Sequence, residues 1–328
     1  MTGVRAVLLV AAACSAAAAQ DPREMVRHAV ALLDRNLAAE SGYSFLERHE
    51  TSELEPDGRV KTHKIRLYDV TFVDGSPYRR LAGTDDRPLS AEEQRAEQQK
   101  LEETVTQRRN ETPAQRSKRI AEWEKRRQRE REPIKEIPDA FNFRLAGEER
   151  VDGRDAWVLE ATPRPGFHAH SGIAKLFAKF RGKLWIDKAD HQWVKTEAEL
   201  VDNMWWGVFL ARLDKGARLE VQMTRINSEI WLPKHIAAKF SARIALLKRL
   251  NMEIDTRYSD YRKLSAASPG RSSTKPNRNG SAPLEASVTS ISGFPASVTG
   301  RRISSSVSSP VRCETFAGRS IPSTRPPR

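Results

Sequence analysis

The side chains best suited to chemistry in this sequence are its histidines and paired carboxylates. Of the seven histidines, His168 and His170 stand two apart. An extended segment would aim both to one side, as two metal ligands need. No cysteine or carboxylate near them in sequence completes a site, and His191 and His235 belong to other segments. Glu197 and Glu199 alternate along one stretch and are expected to face solvent. Paired catalytic carboxylates would have to converge from separate segments. No Gly-x-Ser-x-Gly elbow, phosphate loop or dinucleotide fingerprint occurs. The expectation is a noncatalytic protein without metal or cofactor.

Binding through apolar surface is the chemistry that remains. Leu184 and Ile186 share one strand face, and Val194, Thr196, Ala198 and Leu200 share the next. Ile230, Leu232, Ile236, Ala238 and Phe240 follow, with Pro233 placed to shift their register, and Met252 and Ile254 continue the series. Met204 to Leu210 forms the densest apolar cluster after the N-terminal region. Its Trp205, Trp206 and Phe209 suit a barrel mouth or a membrane surface, where Trp is favoured, and equally a filled core. The candidate lining of an apolar cavity is therefore Leu184, Ile186, Val194, Ala198, Leu200, Trp205, Trp206, Phe209, Ile236, Phe240, Met252 and Ile254. An acyl chain sequestered there would gain about 0.8 kcal/mol per buried methylene. The competing reading is a dry core, because apolar alternation is first a packing signal.

These positions need a sheet to hold them. Asp21-Pro22 starts a helix whose Val26, Val30, Leu33 and Leu37 fall on one face. From Gly42 the period becomes that of strands: Tyr43 to Glu50, Val60 to Val73 and a third from Tyr78, separated by Asp57-Gly58 and Asp74-Gly75 turns. Residues 88–136 form a charged insertion. Capping boxes at Ser90 and Thr112 open helices running to about Arg109 and Arg131. The acid-rich first half and the basic second half are expected to lie side by side as an antiparallel hairpin resembling a coiled coil, which has few apolar residues. Strands return at Phe141–Val151, Ala156–Ala161, Gly182–Lys188, Trp193–Val201, Leu219–Ile226, Ile230–Phe240 and Leu246–Tyr258, with a short helical piece from Ser171 to Phe180. Nine or ten strands suffice for a curved sheet or open barrel.

The flanks differ from this middle. Arg5, the apolar Ala6–Ala13 and the small residues Ala17 to Ala19 have the pattern of a secretory signal peptide over residues 1–19, which predicts a periplasmic protein. An alternative reads Ala11 to Cys14 as a lipobox, with the protein lipid-anchored at Cys14. After Leu264, Ser, Pro, Gly and Arg dominate, and residues 265–328 are expected to be disordered. Much of the net charge of +13 lies in that tail, and the rest of the chain is mildly basic. The rest has mixed signs without a basic stripe interleaved with aromatics, so nucleic acid is not an expected partner. The only cysteines are Cys14 and Cys313, which leaves residues 20–264 without disulfides and dependent on a hydrophobic core.

The stretch Gly182 to Glu199, with Gly-Lys-Leu-Trp-Ile-Asp turning into a strand with Val-Lys, and the later Ile-Trp-Leu-Pro-Lys at Ile230 to Lys234, resemble the outer-membrane lipoprotein-sorting (LolA-like) superfamily. The likeness is to its uncharacterised envelope relatives more than to the carrier itself. The charged hairpin and basic tail depart from the carrier pattern. The resemblance implies a mainly β (α+β) fold, a half-open antiparallel β-barrel whose concave apolar face is partly closed by helices. It also implies binding of lipid or lipoprotein acyl chains, as carrier or sensor. Two rivals remain: an envelope scaffold that engages a protein partner through the charged hairpin, and a hydrolase with an unrecognised site. Peripheral contact with a membrane is a further expectation.

Overall fold

The computed structural model describes residues 21–206, 211–244 and 248–264, with Trp206 described in its backbone alone. The signal peptide and lipobox readings, the tail and Phe209 lie outside the described residues.

Helix α1 (Pro22–Ala39) begins where the Asp21 side chain accepts the Arg23 amide at 2.9 Å. Proline at the first turn loses no hydrogen bond there. Met25, Val26, Ala29, Val30, Leu33 and Leu37 form its buried stripe. The chain then enters β1 (Tyr43–Leu54), β2 (Val60–Val73), β3 (Ser76–Thr84) and the short β4 (Arg87–Pro88). Asp74 and Gly75 both have positive φ (45° and 84°), the backbone a two-residue hairpin turn requires. Helices α2 (Ala91–Arg109) and α3 (Pro113–Ala140) follow, each opened by a complete capping box. The remaining strands are β5 (Phe141–Val151), β6 (Arg154–Pro163), β7 (Phe180–Asp187), β8 (Trp193–Leu200), β9 (Met204–Trp206), β10 (Ala211–Leu213), β11 (Arg218–Ile226), β12 (Ile230–Ile244) and β13 (Lys248–Lys263), with a 3-10 turn at Ala174–Lys179.

All thirteen strands join one antiparallel sheet, in the order β4-β3-β2-β1-β13-β12-β11-β8-β7-β6-β5. Two meanders meet where β1 pairs with β13, so the beginning and end of the domain close its centre. β9 and β10 extend the β8–β11 hairpin, and β10 pairs with the far end of β12. The sheet does not close, and the molecule is a half-open barrel. Its curvature follows from α1, which touches β5, β7, β8 and β12. Strands β5 and β12 are five places apart, about 24 Å in a flat sheet at about 4.8 Å per step. A helix about 10 Å wide reaches both only if the sheet curls around it. The concave face is thus the one that carries α1, and the main core fills the space between.

The ten strands expected from the alternation are all present, joined by the short β4, β9 and β10. Three expectations change. First, α3 does not stop near Arg131 but continues through Pro133 and Pro138 to Ala140. It is held from outside. Arg131 and Lys135 reach Asp34 of α1, and Arg23 donates to the Pro138 carbonyl at 2.9 Å. Second, α2 and α3 do not pair their charges. No ion pair joins them among the described residues, and they meet at their turn, where Arg116 donates to the Arg108 carbonyl at 3.4 Å. The α3 cations find their acids on α1 and just after it instead, Arg131 with Asp34 and Arg127 with Glu40. Third, the register slips between Gln222 and Met223, opposite Pro233 and His235. That bulge turns Ile230 and Leu232 away from the face of Ile236, Ala238 and Phe240 and into a separate cluster with Tyr43.

The helical pair is fastened to the β2–β3 turn. Arg108 donates to the carbonyls of Val73 (2.8 Å), Ser76 (2.9 Å) and Pro77 (3.2 Å), and Arg119 to those of Asp74 (3.1 Å) and to Ser76 Oγ (2.6 Å). α2 runs beside β3, where Glu97 accepts the Leu81 amide at 3.3 Å. The carboxylate covers a backbone donor that an edge strand would otherwise present to other chains.

Candidate functional site

The Gly-Lys-Leu-Trp-Ile-Asp stretch is built into the sheet at two points. At Gly182 the strands β7 and β8 approach so closely that a Cβ would stand 2.2 Å from the Glu197 carbonyl oxygen and 3.1 Å from Ala198 Cα. Only glycine fits. At the other end, Asp187 accepts from Arg154 Nε (2.6 Å) and Nη2 (2.8 Å), and from the amides of Ala189 (3.0 Å) and Asp190 (2.7 Å). Burial alone would raise this carboxyl, but the Arg154 guanidinium and the two amides outweigh it and hold the group below the usual carboxylate range. Asp190 extends the cluster to Arg154 (3.0 Å), Arg225 (3.3 Å) and the Trp231 indole N–H (3.2 Å). The two motifs, Trp-Ile-Asp and Trp-Leu-Pro, therefore meet through one ionic knot that ties the β5–β6 turn, the β7–β8 turn and β11–β12. It is a structural clasp.

Register decides which predicted cavity residues share a face. Leu184 lies opposite Thr196, Thr196 opposite Val221, Val221 opposite Ile236, and Ile236 opposite Thr256. The next row runs Gly182, Ala198, Leu219, Ala238, Ile254. Phe240 lies opposite Met252 one row further on. Leu184, Ile186, Val194, Ala198, Leu200, Ile236, Phe240, Met252 and Ile254 all fall on the concave face. They divide by cover. Leu184, Ile186, Val194, Leu200 and Ile236 are fully buried in or beside the core under α1. Ala198, Phe240, Met252 and Ile254 are half-buried, as are Leu219, Ala238, Ala242 and Leu250 on the same face. This is an apolar strip that the helices leave partly open. Trp205 is on the opposite face and 47% exposed. Trp206 is placed by its backbone opposite Ala211, and Phe209 is outside the described residues.

An open trough of about 740 Å³ crosses seven strands, lined by Ala161, Gly182, Ala198, Leu219, Ala238 and Ile254 together with residues of the opposite, charged face. Its rims are charged, among them Lys183, Glu197, Glu220 and Asp255. Glu197 pairs with Lys195 at 2.6 Å, and Asp255 with His235 at 2.6 Å and Arg257 at 2.8 Å. Glu197 and Glu199 thus face away from the apolar side, as the alternation predicts.

A buried polar cluster is the feature that sequence reasoning misses. Glu40 and Glu47 are 7% and 8% exposed. Burial raises both carboxyls, opposed by Arg127 at Glu40 and by Arg79 at Glu47. Burial, with Arg79 and Arg66 nearby, lowers His49. Tyr258 and Tyr261 are raised well above the usual phenol range by their burial. The sole trace in the sequence is the alternation Phe45, Glu47, His49, which puts acid and imidazole on a face begun by an aromatic. Glu40 and its partner Arg127 are 87 residues apart, beyond any local pattern. Each carboxylate is matched by a guanidinium, an arrangement suited to holding α3 and β3 to the barrel.

The histidine pair does not form a metal site. His168 and His170 are exposed, and Glu136 accepts the amides of His170 (2.8 Å) and Ser171 (2.9 Å). Among the described residues no cluster of three or more His, Cys, Asp or Glu is placed to hold a metal ion. None of their helices is long and apolar enough to cross a membrane.

No family model matches this chain, and no curated protein matches its sequence. Solved structures similar to it include a domain described as an outer-membrane lipoprotein-sorting protein from Vibrio parahaemolyticus, at 11% identity and TM-score 0.30 over 74% of this chain and 95% of that one. A DUF1329 family protein from Desulfovibrio piger matches at 12% identity and TM-score 0.30, over 76% and 95% of the two chains. A LolA-superfamily protein from Nitrosomonas europaea matches at 14% identity and TM-score 0.26, over 72% and 93%. The half-open barrel itself is read from this chain's own strand order and register, and two of these names are those of the superfamily that its short motifs resemble.

Proposed function

We propose that the domain is a noncatalytic carrier or sensor that binds an acyl chain of a lipid or lipoprotein along its concave face, in the periplasm. The reading rests on one observation: the strip of Leu219, Ala238, Phe240, Leu250, Met252 and Ile254 on the concave face is only half-buried. The superfamily resemblance of the Gly182–Glu199 stretch agrees with it. Each methylene that leaves water on this strip contributes about 0.8 kcal/mol, so a dozen suffice for tight binding without any directional contact. Ala198, Phe240, Met252 and Ile254 belong to the proposed binding surface, and the residues under α1 form its floor. The scaffold alternative has less support, because α3 is committed to α1 and both helices to the β2–β3 turn.

The test is displacement of a fluorescent fatty acid from the purified protein. Ala238→Trp places an indole in the middle of the strip. Loss of cover for three methylenes corresponds to about 2.4 kcal/mol, roughly a fiftyfold loss of affinity. A wild-type protein that binds no acyl chain, or an Ala238→Trp protein that binds equally well while folded, removes the proposal.

A further inference from the structure

One row of cross-strand neighbours differs from the rest of the sheet. Trp205 of β9 lies opposite Arg212 of β10, Arg212 opposite Arg243 of β12, and Arg243 opposite Arg249 of β13. The adjoining row, Met204, Leu213, Ala242 and Leu250, faces the core, where Met204 and Leu213 are buried. The Trp205 row therefore points out on the convex side. The Arg212 guanidinium lies 5.3 Å from the Trp205 ring centre and pairs with Asp214. Arg243, Lys248 and Arg249 are exposed and have no ion-pair partner among the described residues.

Like charges directly opposite one another destabilise paired strands, and here three arginines stand in file. Some other cations of the sheet are matched, Lys195 by Glu197, Arg181 by Glu199 and Lys239 by Glu253, but nowhere else among the described residues do three arginines stand in file. From Met204 to Leu213 and from Ser241 to Leu250 the sequence has four Lys or Arg and no Asp or Glu. An apolar group shares the surface: Trp205 is 47% exposed. The exposed Arg243 and Arg249 present positive charge that an anion from outside can match. The exposed indole favours an anionic surface that also offers apolar depth.

We propose that the paired ends of the β9–β10 and β12–β13 hairpins dock the protein on anionic phospholipid headgroups of a bilayer. Guanidinium groups bind phosphate through paired N–H donors. Tryptophan settles at the headgroup level. This surface is on the face opposite the acyl strip, and the inference does not depend on the strip being occupied.

Flotation of the full chain with vesicles tests it, using phosphatidylcholine alone and phosphatidylcholine mixed with phosphatidylglycerol. The basic residues after Leu264 are then common to every variant. The wild type partitions onto the anionic vesicles and is released by salt. Arg243→Ala combined with Arg249→Ala lowers partitioning about 25-fold, about fivefold for each cation lost. Arg181→Ala with Arg218→Ala removes the same charge from the same face and leaves partitioning within about twofold. Trp205→Phe independently removes a share of the tryptophan quenching that brominated lipid produces in the wild type. Equal binding to both vesicles, equal loss in the control pair, or quenching unchanged by Trp205→Phe overturns the proposal. So does binding to a DNA or RNA oligomer with no binding to vesicles.

Discussion

Asp187→Ala is expected to destabilise the domain by about 3 kcal/mol. The carboxylate side chain is 2% exposed and accepts four hydrogen bonds, two from Arg154 and two from backbone amides. Removing one partner of a buried ion pair costs about 3–5 kcal/mol. The lower end applies because the Arg154 side chain is 33% exposed and keeps Asp190 at 3.0 Å. For a domain of this size the loss corresponds to a melting point lowered by about 6–12 °C. Circular dichroism melts and urea titrations measure it. The pH dependence follows from the depressed carboxyl. A group with its folded pKa below the unfolded value, about 3.9 for Asp, stabilises above that value, and the gain is lost as pH falls through the folded pKa. The gap between wild type and Asp187→Asn must therefore be full at pH 7 and shrink as pH drops below about 4. Arg154→Ala and Asp187→Ala together must cost less than their sum, since they break the same contact. A melting point within about 2 °C of wild type, or strictly additive losses, would refute the clasp.

Gly182→Ala is expected to cost about 3 kcal/mol, the upper range for overpacking, because the new Cβ meets backbone. Gly172→Ala, with nothing within 4 Å, is the neutral control. Equal urea midpoints for the two would contradict the close approach of β7 and β8. Glu47 has the opposite sign from Asp187. Its carboxyl is raised by burial, so its contribution is full below about pH 4.3 and is lost as pH rises through the folded pKa. Glu47→Gln should then lose less stability than wild type between pH 5 and pH 7.5, as read by urea midpoints. Arg108→Ala releases three carbonyls of the β2–β3 turn. Hydrogen exchange in residues 91–109 should rise while that of β7 and β8 stays fixed, and uniform protection would count against this fastening.

What the sequence reveals is mostly local. Capping boxes at Ser90 and Thr112 place two helix starts, and Asp-Gly pairs place hairpin turns, because each satisfies its own backbone within a few residues. Alternation places ten strands and puts nine predicted apolar residues on one face. Pro233 marks the register slip, but only the pairing with β11 shows that Ile230 and Leu232 end up on the other side. The path of α3 past Pro133 is not legible, since its anchors, Asp34 and Arg23, are on a helix about a hundred residues earlier. Division of the apolar face into a covered floor and a half-buried strip depends on which positions the packed helices cover, and that is set by tertiary contacts. Trp205 falls outside the concave face of the predicted cavity lining for a related reason: a dense apolar cluster does not say which of its side chains face inward.

The central claim is that the strip beyond α1 holds an acyl chain. A fatty acid carrying a photoactivatable group near its methyl end tests it directly, with crosslinked peptides mapped by mass spectrometry. The account predicts adducts concentrated on the peptides that hold Ala238, Phe240, Met252 and Ile254, and competed away by unlabelled fatty acid. Adducts that are absent, or confined to the convex face, would contradict it.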